Sequence, residues 1–269
     1  MSFNWRDCYF SFLNLDHRID RLDHMTNELA RVGLTAERTR GKLPREYDLT
    51  NPRYKAMVNR TPGALPCHYG QVSIMQEAFN RGKSAFVMED DLQFGSDVKE
   101  RLDYFQNFLN RQEDWAVAWL GGTYSINPPW WHKLGHNSEL TQCNCTLGRD
   151  AECTDDPRIM RTYGCFSTFA YVVNYDWIER ILIMLEENIH FSIGIDFLFI
   201  YLQPMIKTFA FSPGLVRQID NRSDIGSGIT YFTPFLKLNG TLENSAYVFQ
   251  DKMSDFDPTT FNWAEARQM

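Results

Sequence analysis

The sequence predicts an α/β domain built on a mostly parallel central sheet flanked by helices. Three observations carry this expectation. Short runs of β-preferring apolar residues alternate with segments in which apolar residues recur every three or four positions. Glycines stand just past several of the helical segments, where a left-handed C-cap is wanted. One apolar run, Ala85-Phe86-Val87-Met88, ends abruptly in Glu89-Asp90-Asp91. A buried strand that stops in acids delivers charge to the carboxyl edge of a sheet, where open α/β sheets bind ligands.

The elements follow in order. Residues 8–14 read as a first strand. Residues 18–32 read as an amphipathic helix, with Ile19, Leu22, Met25, Leu29 and Val32 on one face and Gly33 after it. Leu34 to Arg38 reads as a short second strand. Residues 41–63 carry Gly41, Pro44, Pro52, Pro62 and Gly63, so they read as loop with room for one short helix. A second helix is expected at 66–81, closed by Gly82, then the acidic strand at 84–89. Val98, Leu102, Phe105 and Leu109 mark a third helix at 97–111. Trp115 to Leu120 is the next strand, closed by Gly121-Gly122. Residues 123–161 break the pattern and read as a functional loop or an insertion. Regular structure resumes with a strand at 164–173, helices at 175–187 and near 195–202, and a strand at 206–211. Residues 212–269 read as a loose wrap. The organisation is thus one domain over 1–228, interrupted at 123–161, with a tail at 229–269.

The chain of 269 residues carries a net charge of −7 and a pI near 5.4. An acidic surface disfavours nonspecific nucleic-acid binding, whose affinity comes largely from Lys and Arg on phosphates. A local basic pocket stays open. The longest early apolar stretch, Cys8 to Leu13, is too short to span a membrane. The first residues lack a signal-peptide pattern. A cytoplasmic protein is expected, with peripheral membrane association left open. Cys8, Cys67 and Cys165 sit in apolar stretches and read as reduced core thiols.

The clustered acids point to chemistry. Neighbouring carboxylates repel one another and raise one another's pKa. A hard divalent cation, Mg²⁺ or Mn²⁺, removes that cost and holds a diphosphate. The alternative is a solvated acidic turn, or a helix N-cap followed by first-turn acids.

The order of motifs resembles a known family. Leu13-Asn14-Leu15-Asp16 is followed by Arg18-x-x-Arg21. Gly63-Ala64-Leu65-Pro66-Cys67 opens a helix. Val87 to Asp91 comes next, then Asp114-Trp115 leading to Leu120-Gly121-Gly122. Thr162-Tyr163-Gly164, Gly194-Ile195-Asp196-Phe197-Leu198, Pro213 to Gln218 and Ser223-Asp224-Ile225 complete the series. Each motif is weak alone; in order, at compatible spacing over roughly residues 8–226, they resemble glycosyltransferase family 25. That family includes lipopolysaccharide-type and collagen galactosyltransferases. The resemblance implies a GT-A fold, a UDP-sugar donor, a Mn²⁺-type cation and inversion at the anomeric carbon. Two departures lie near the donor: Gly70-Gln71 stands where the family has a Ser-His pair, and Arg40-Gly41 where it has Asp-Gly. Arg40 and Gln71 are accordingly taken as donor contacts in this chain.

Roles follow from that resemblance. Asp91 is the first choice of direct metal ligand, with Glu89 its partner at the metal or the ribose. Asp90, expected to point to the other face, is read as a donor contact that orients its neighbours, with a structural cap an equal alternative. Asp196 is the candidate base for an acceptor hydroxyl; from sequence alone, an N-cap is the stronger reading of this residue. Asn14, Asp16, Arg18 and Arg21 offer amide, carboxylate and guanidinium groups to a nucleotide at a helix start. Surface pairing of Arg18 and Arg21 with Asp20 or Asp23 is the alternative. Gln218, Ser223 and Asp224 are expected to belong to a mobile segment over the donor, helped by Gly226 and Gly228.

In the 123–161 interval, Trp130 and Trp131 are candidates for stacking on an acceptor sugar, or for pinning the loop. His132, His136, Cys143, Cys145 and Cys153 are zinc-ligand types. Their spacing matches no standard finger, so free thiols, a disulfide and a structural Zn²⁺ all stay open. The functional expectation is an inverting, metal-dependent transferase. It would move galactose or glucose from a UDP-sugar to a glycan, glycolipid or glycoprotein. A non-catalytic sugar-nucleotide or glycan-binding protein on the same fold, and a transferase acting on modified DNA bases, are the competing classes. The absent Ser-His pair favours the former, and the acidic pI argues against the latter.

Overall fold

The computed structural model describes residues 2–123, 151–156, 158–189, 194–211, 214–219, 221–224 and 228–230. Trp130, Trp131, His132, His136, Cys143 and Cys145 lie outside the described residues, as does the side chain of Cys153. The proposed tail at 229–269 also lies outside, apart from its first two residues.

The chain begins with β1 (Tyr9–Leu15), α1 (Ile19–Val32) and β2 (Glu37–Gly41). Then come α2 (Pro52–Arg60), α3 (Ala64–Asn80), β3 (Ala85–Glu89), β4 (Leu92–Phe94), α4 (Val98–Leu109) and β5 (Trp115–Thr123). The later elements are β6 (Ala151–Cys153), β7 (Ile159–Thr162), β8 (Phe166–Val173), α5 (Tyr175–Asn188) and α6 (Ile195–Leu202). They end with β9 (Lys207–Phe211), β10 (Val216–Gln218), β11 (Asn221–Ser223) and β12 (Gly228–Thr230).

The central sheet has eight strands in the order β2-β1-β3-β8-β5-β9-β7-β6. β2, β1 and β3 pair in parallel, as do β5 and β9. β8 is antiparallel to both β3 and β5, and β7 is antiparallel to β9 and β6. The sheet is therefore mixed, and the expected parallel arrangement holds only on either side of β8. Parallel neighbours need a crossover, usually helical, whereas antiparallel ones do not. Among the described residues no helix stands between β5 and β8.

β3 shows why the acidic strand is apolar before its end. Phe86 and Met88 pack into one core cluster with Met25 and Leu29 of α1 and Leu102 and Phe105 of α4. Ala85 and Val87 face the other cluster, with Ile74 of α3, Ile178 of α5 and Phe199 of α6. Alternate side chains point to opposite faces, and both faces are covered, so the whole run is hydrophobic.

Several expected boundaries shift for local reasons. Leu34 ends α1 and does not start β2. Gly33 adopts a left-handed φ of 63°, and Leu34 N donates to Leu29 O at 2.9 Å, so the buried Leu34 closes a Schellman cap. The short helix for which 41–63 left room is α2, which starts at Pro52 with Asn51 accepting from Arg53 N at 3.0 Å. The interval read as irregular to 161 contributes β6 and β7, and the expected wrap contributes β10, β11 and β12. Strands this short carry too few residues to show a period. Among the described residues no helix is long and apolar enough to cross a membrane.

Candidate functional site

The acids at the end of β3 lie beside β1 and share their partners. Asp90 is nearly buried: Asn14 Nδ2 donates to its Oδ2 at 2.7 Å, and Arg21 Nη1 to its Oδ1 at 2.8 Å. Arg21 also pairs with Asp91 at 3.2 Å, so one guanidinium of α1 bridges two consecutive acids. Gln218 Nε2 donates to Glu89 Oε2 at 2.9 Å and to Asp91 Oδ1 at 3.2 Å. On the other side of Glu89, Gln71 Nε2 lies 3.3 Å from Oε1, and the Cys67 thiol lies 3.9 Å from the same oxygen. Gln71 is itself buried and fixed, donating to Thr168 Oγ1 at 3.2 Å and accepting from Tyr171 OH at 2.8 Å.

α3 packs against Leu13 of β1 at Gly70. A Cβ there would lie 2.5 Å from Leu13 of β1, so the glycine lets the helix pass close to the sheet. The Gly70-Gln71 step thus serves packing at one residue and contacts Glu89 at the next.

Asp196 sits in the first turn of α6. Gly194, and not Asp196, is the N-cap, and no side-chain cap bond is present. The expected capping alternative is corrected on that point. The Asp196 carboxylate turns back toward its own backbone: a Cβ on Gly194 would be 3.1 Å from its Oδ1. Burial pushes the Asp196 carboxyl up from its usual value, opposed by a hydrogen bond from its own backbone N–H.

Glu89, Asp196 and Cys67 share one field. Burial pushes the Glu89 carboxyl well above the usual carboxylate range, and the charges of Asp91, Asp196 and Asp90 push it further. Both Glu89 and Asp196 keep some accessible surface as residues, while their carboxyl groups lie among protein atoms. Burial pushes the Cys67 thiol up as well, with Glu89 and Asp196 adding to the effect. Cys67, read from sequence as a core thiol, in fact borders the carboxylates from the start of α3. Tyr171 was likewise not anticipated. Its phenol is raised by burial and then by Cys67, Glu89 and Asp196.

A second group gathers at the ends of β1 and β2. Arg38 Nε donates to Asn14 Oδ1 at 2.8 Å, and its Nη2 to Asp16 Oδ1 at 2.6 Å. Arg40 donates to Asp16 at 2.7 Å and to Glu46 at 2.8 Å. The hydrogen bond from Arg38, then that from Arg40, holds the Asp16 carboxyl below its usual value. Arg18 pairs with Asp20 at 2.8 Å and also with Asp224, whose carboxylate lies 3.7 Å from His17 Nε2. Surface pairing therefore accounts for part of Arg18, whereas Arg21 is turned inward to Asp90 and Asp91. Arg38 escaped the sequence reading; its only signal was its place two residues before Arg40, on the same strand face. For Ser223, the backbone is described, in register with Gly228 of a two-stranded ribbon.

Among the described residues, no group of three or more His, Cys, Asp and Glu side chains is arranged to hold a metal ion. Glu89 and Asp91 are the two carboxylates that would hold one. A single atom, Gln218 Nε2, stands within 3.2 Å of an oxygen of each. Mg²⁺ is typically held by one or two carboxylates, with water and phosphate oxygens completing its shell. No protein-family model matches the chain, and no significant match to a curated protein is found.

Proposed function

We propose that the protein is an inverting, metal-dependent glycosyltransferase of the GT-A type. It would move a hexose, galactose or glucose, from a UDP-sugar to a glycan, glycolipid or glycoprotein acceptor. The mixed sheet flanked by helices is compatible with that fold without being specific to it. One observation carries the reading. The Asp196 carboxyl, raised by burial, acts electrostatically on Glu89, which shares the Gln218 amide with Asp91. A carboxylate with a raised pKa beside a pair of oxygen ligands supplies a base and a diphosphate anchor within one site.

In this reading Asp196 accepts the proton of an acceptor hydroxyl. The acceptor oxygen bonds to the anomeric carbon from one face while the bond to the diphosphate oxygen breaks on the other. A divalent cation held by Glu89 and Asp91 would stabilise the charge on the departing UDP. Gln71 and Gln218 orient Glu89 from opposite sides. Asn14 and Arg21 hold Asp90 and so set the strand end. Asp16, Arg18, Arg40, Ser223 and Asp224 border the donor.

A panel of UDP-, GDP- and CDP-sugars with Mn²⁺, scored for hydrolysis without acceptor, tests the reading. Turnover of a UDP-hexose, lost in EDTA, is expected, with a β-glycoside formed from an α-linked donor. Full activity in EDTA, preference for a GDP-sugar or an α-product would overturn it. Tight UDP-sugar binding with no turnover would identify a binding protein instead.

A further inference from the structure

Residues 41–63 leave the sheet at the end of β2 and return to it in α3, where Cys67 meets Glu89. The segment holds five basic side chains, Lys42, Arg45, Arg53, Lys55 and Arg60, and all five are exposed. Its two acids are already engaged. Glu46 accepts from Arg40 at 2.8 Å and from Leu43 N at 2.7 Å, and Asp48 accepts from Thr50 N at 3.0 Å. Among the described residues, none of the five bases has a carboxylate within ion-pair distance. Arg6, Arg18, Arg21, Arg38 and Arg81 elsewhere in the chain all do.

The packing of α2 sets this charge outward. Tyr54, Met57 and Val58 pack with Leu65 of α3 and with Ile189. Arg53 and Arg60, seven residues apart, share one flank of the exposed face, and Lys55 lies on the other. α2 contains no acid. Ahead of it, Lys42 lies over the Tyr47 ring at 5.6 Å. Tyr47, Tyr54 and Tyr69 pack against one another, with ring centroids 6.4, 5.9 and 5.4 Å apart. Glu186, the acid of α5 that reaches this cluster, is bonded to Tyr69 OH at 3.0 Å.

We propose that residues 41–63 dock the protein electrostatically on an anionic phospholipid surface. A cluster of Lys and Arg on a helix and its flank is the charge pattern that such surfaces attract. The chain as a whole carries −7, so the rest of it is repelled and this face leads. The contact is one of charge alone, because the apolar face of α2 is already covered and has nothing left to enter the acyl layer. A nucleic-acid strand would need free ring faces on which to stack its bases, and these tyrosines are packed on each other. The inference does not depend on the transferase reading.

The test is cosedimentation of the full-length protein with vesicles in about 0.1 M salt. Pure phosphatidylcholine is compared with the same lipid carrying about one-third phosphatidylserine. Binding is expected only to the anionic vesicles, and is expected to be lost in about 0.5 M salt. Each Lys or Arg at such a surface is worth roughly a fivefold change, so Arg53→Gln/Lys55→Gln/Arg60→Gln should weaken binding about a hundredfold. Lys83→Gln/Lys99→Gln/Arg111→Gln removes the same charge from other exposed positions and should weaken it far less. No binding to anionic vesicles, binding that survives salt, or equal losses in the two triple variants would overturn the proposal. Single-stranded DNA bound in place of vesicles would overturn it in favour of a nucleic-acid surface. None of these outcomes bears on UDP-sugar turnover. If the α2 variant does not melt like the parent, Lys42→Gln/Arg45→Gln, ahead of the helix, is read in the same way.

Discussion

Asn14 Nδ2 donates to Asp90 Oδ2 at 2.7 Å, and both side chains are almost wholly buried, at 1% and 5% exposure. The contact joins β1 to the end of β3, and Asn14 uses its oxygen as well, accepting from Arg38 Nε at 2.8 Å. Asn14→Leu keeps the volume and removes both partners. A buried polar group left unsatisfied costs about 1–3 kcal/mol, more when charged. The variant is expected to lose at least that stability in urea unfolding; a midpoint equal to the parent's would show the contact to be energetically neutral.

Asp196→Asn separates base from scaffold. The N-cap of α6 is Gly194, so the substitution leaves the cap untouched. Loss of a general base costs typically 10²–10⁴-fold in rate. Near-native melting, intact UDP-sugar affinity and a fall of that size in transfer are expected. Transfer at the parental rate would remove Asp196 from the chemistry.

His68 is expected to make the protein acid-sensitive. It is fully buried, packs edge-on against Tyr69 with ring centroids 5.0 Å apart, and neither ring nitrogen has a hydrogen-bond partner among the described residues. Burial pushes its pKa down to about 4 from 6.5. The neutral form is thus favoured in the fold, while the unfolded chain takes up a proton more readily. This contribution is fully present above pH 6.5 and is lost as pH falls toward 4. Its size is on the order of 3 kcal/mol. Urea unfolding at stepped pH should show this loss in the parent and a smaller one in His68→Phe; equal slopes would refute it.

Gly121→Ala should disturb the site from a distance. A Cβ at this position would lie 2.5 Å from Val216 O and 2.5 Å from Phe169 Cε2. The phenyl ring can shift, but the backbone carbonyl belongs to β10, two residues before Gln218. Overpacking of this kind costs about 1–3 kcal/mol. Lower stability together with weaker UDP-sugar binding is expected by calorimetry. A destabilised variant with unchanged donor affinity would show that β10 yields without moving Gln218.

The local part of the architecture was legible residue by residue. Met25, Leu29 and Val32 recur with the period of α1, and all three are buried. The run from Ala85 to Met88 is apolar on both faces because both faces are covered. Where the reading slipped, a short-range signal had a second cause. Leu34 has the residue type of a strand, yet it closes a helix cap, because Gly33 turns the chain back on α1. β4 and β10 are each three residues long, and their pairing with one another has no period to reveal it.

The sequence by itself determined the longer helices and strands and that Glu89, Asp90 and Asp91 end a buried strand. Both properties follow from side-chain alternation within a few residues. Only the tertiary structure decided which charges meet. Sheet order sets β8 antiparallel between β3 and β5, and so carries Thr168 and Tyr171 to Gln71. The register of β10 on β4 brings Gln218 to Glu89 across 129 residues of chain. α1 turns Arg21 inward to pair with Asp90 and Asp91, while Arg18 faces Asp20 and Asp224. Local periodicity is blind to such partnerships, because they depend on strand register and close packing between segments far apart in sequence.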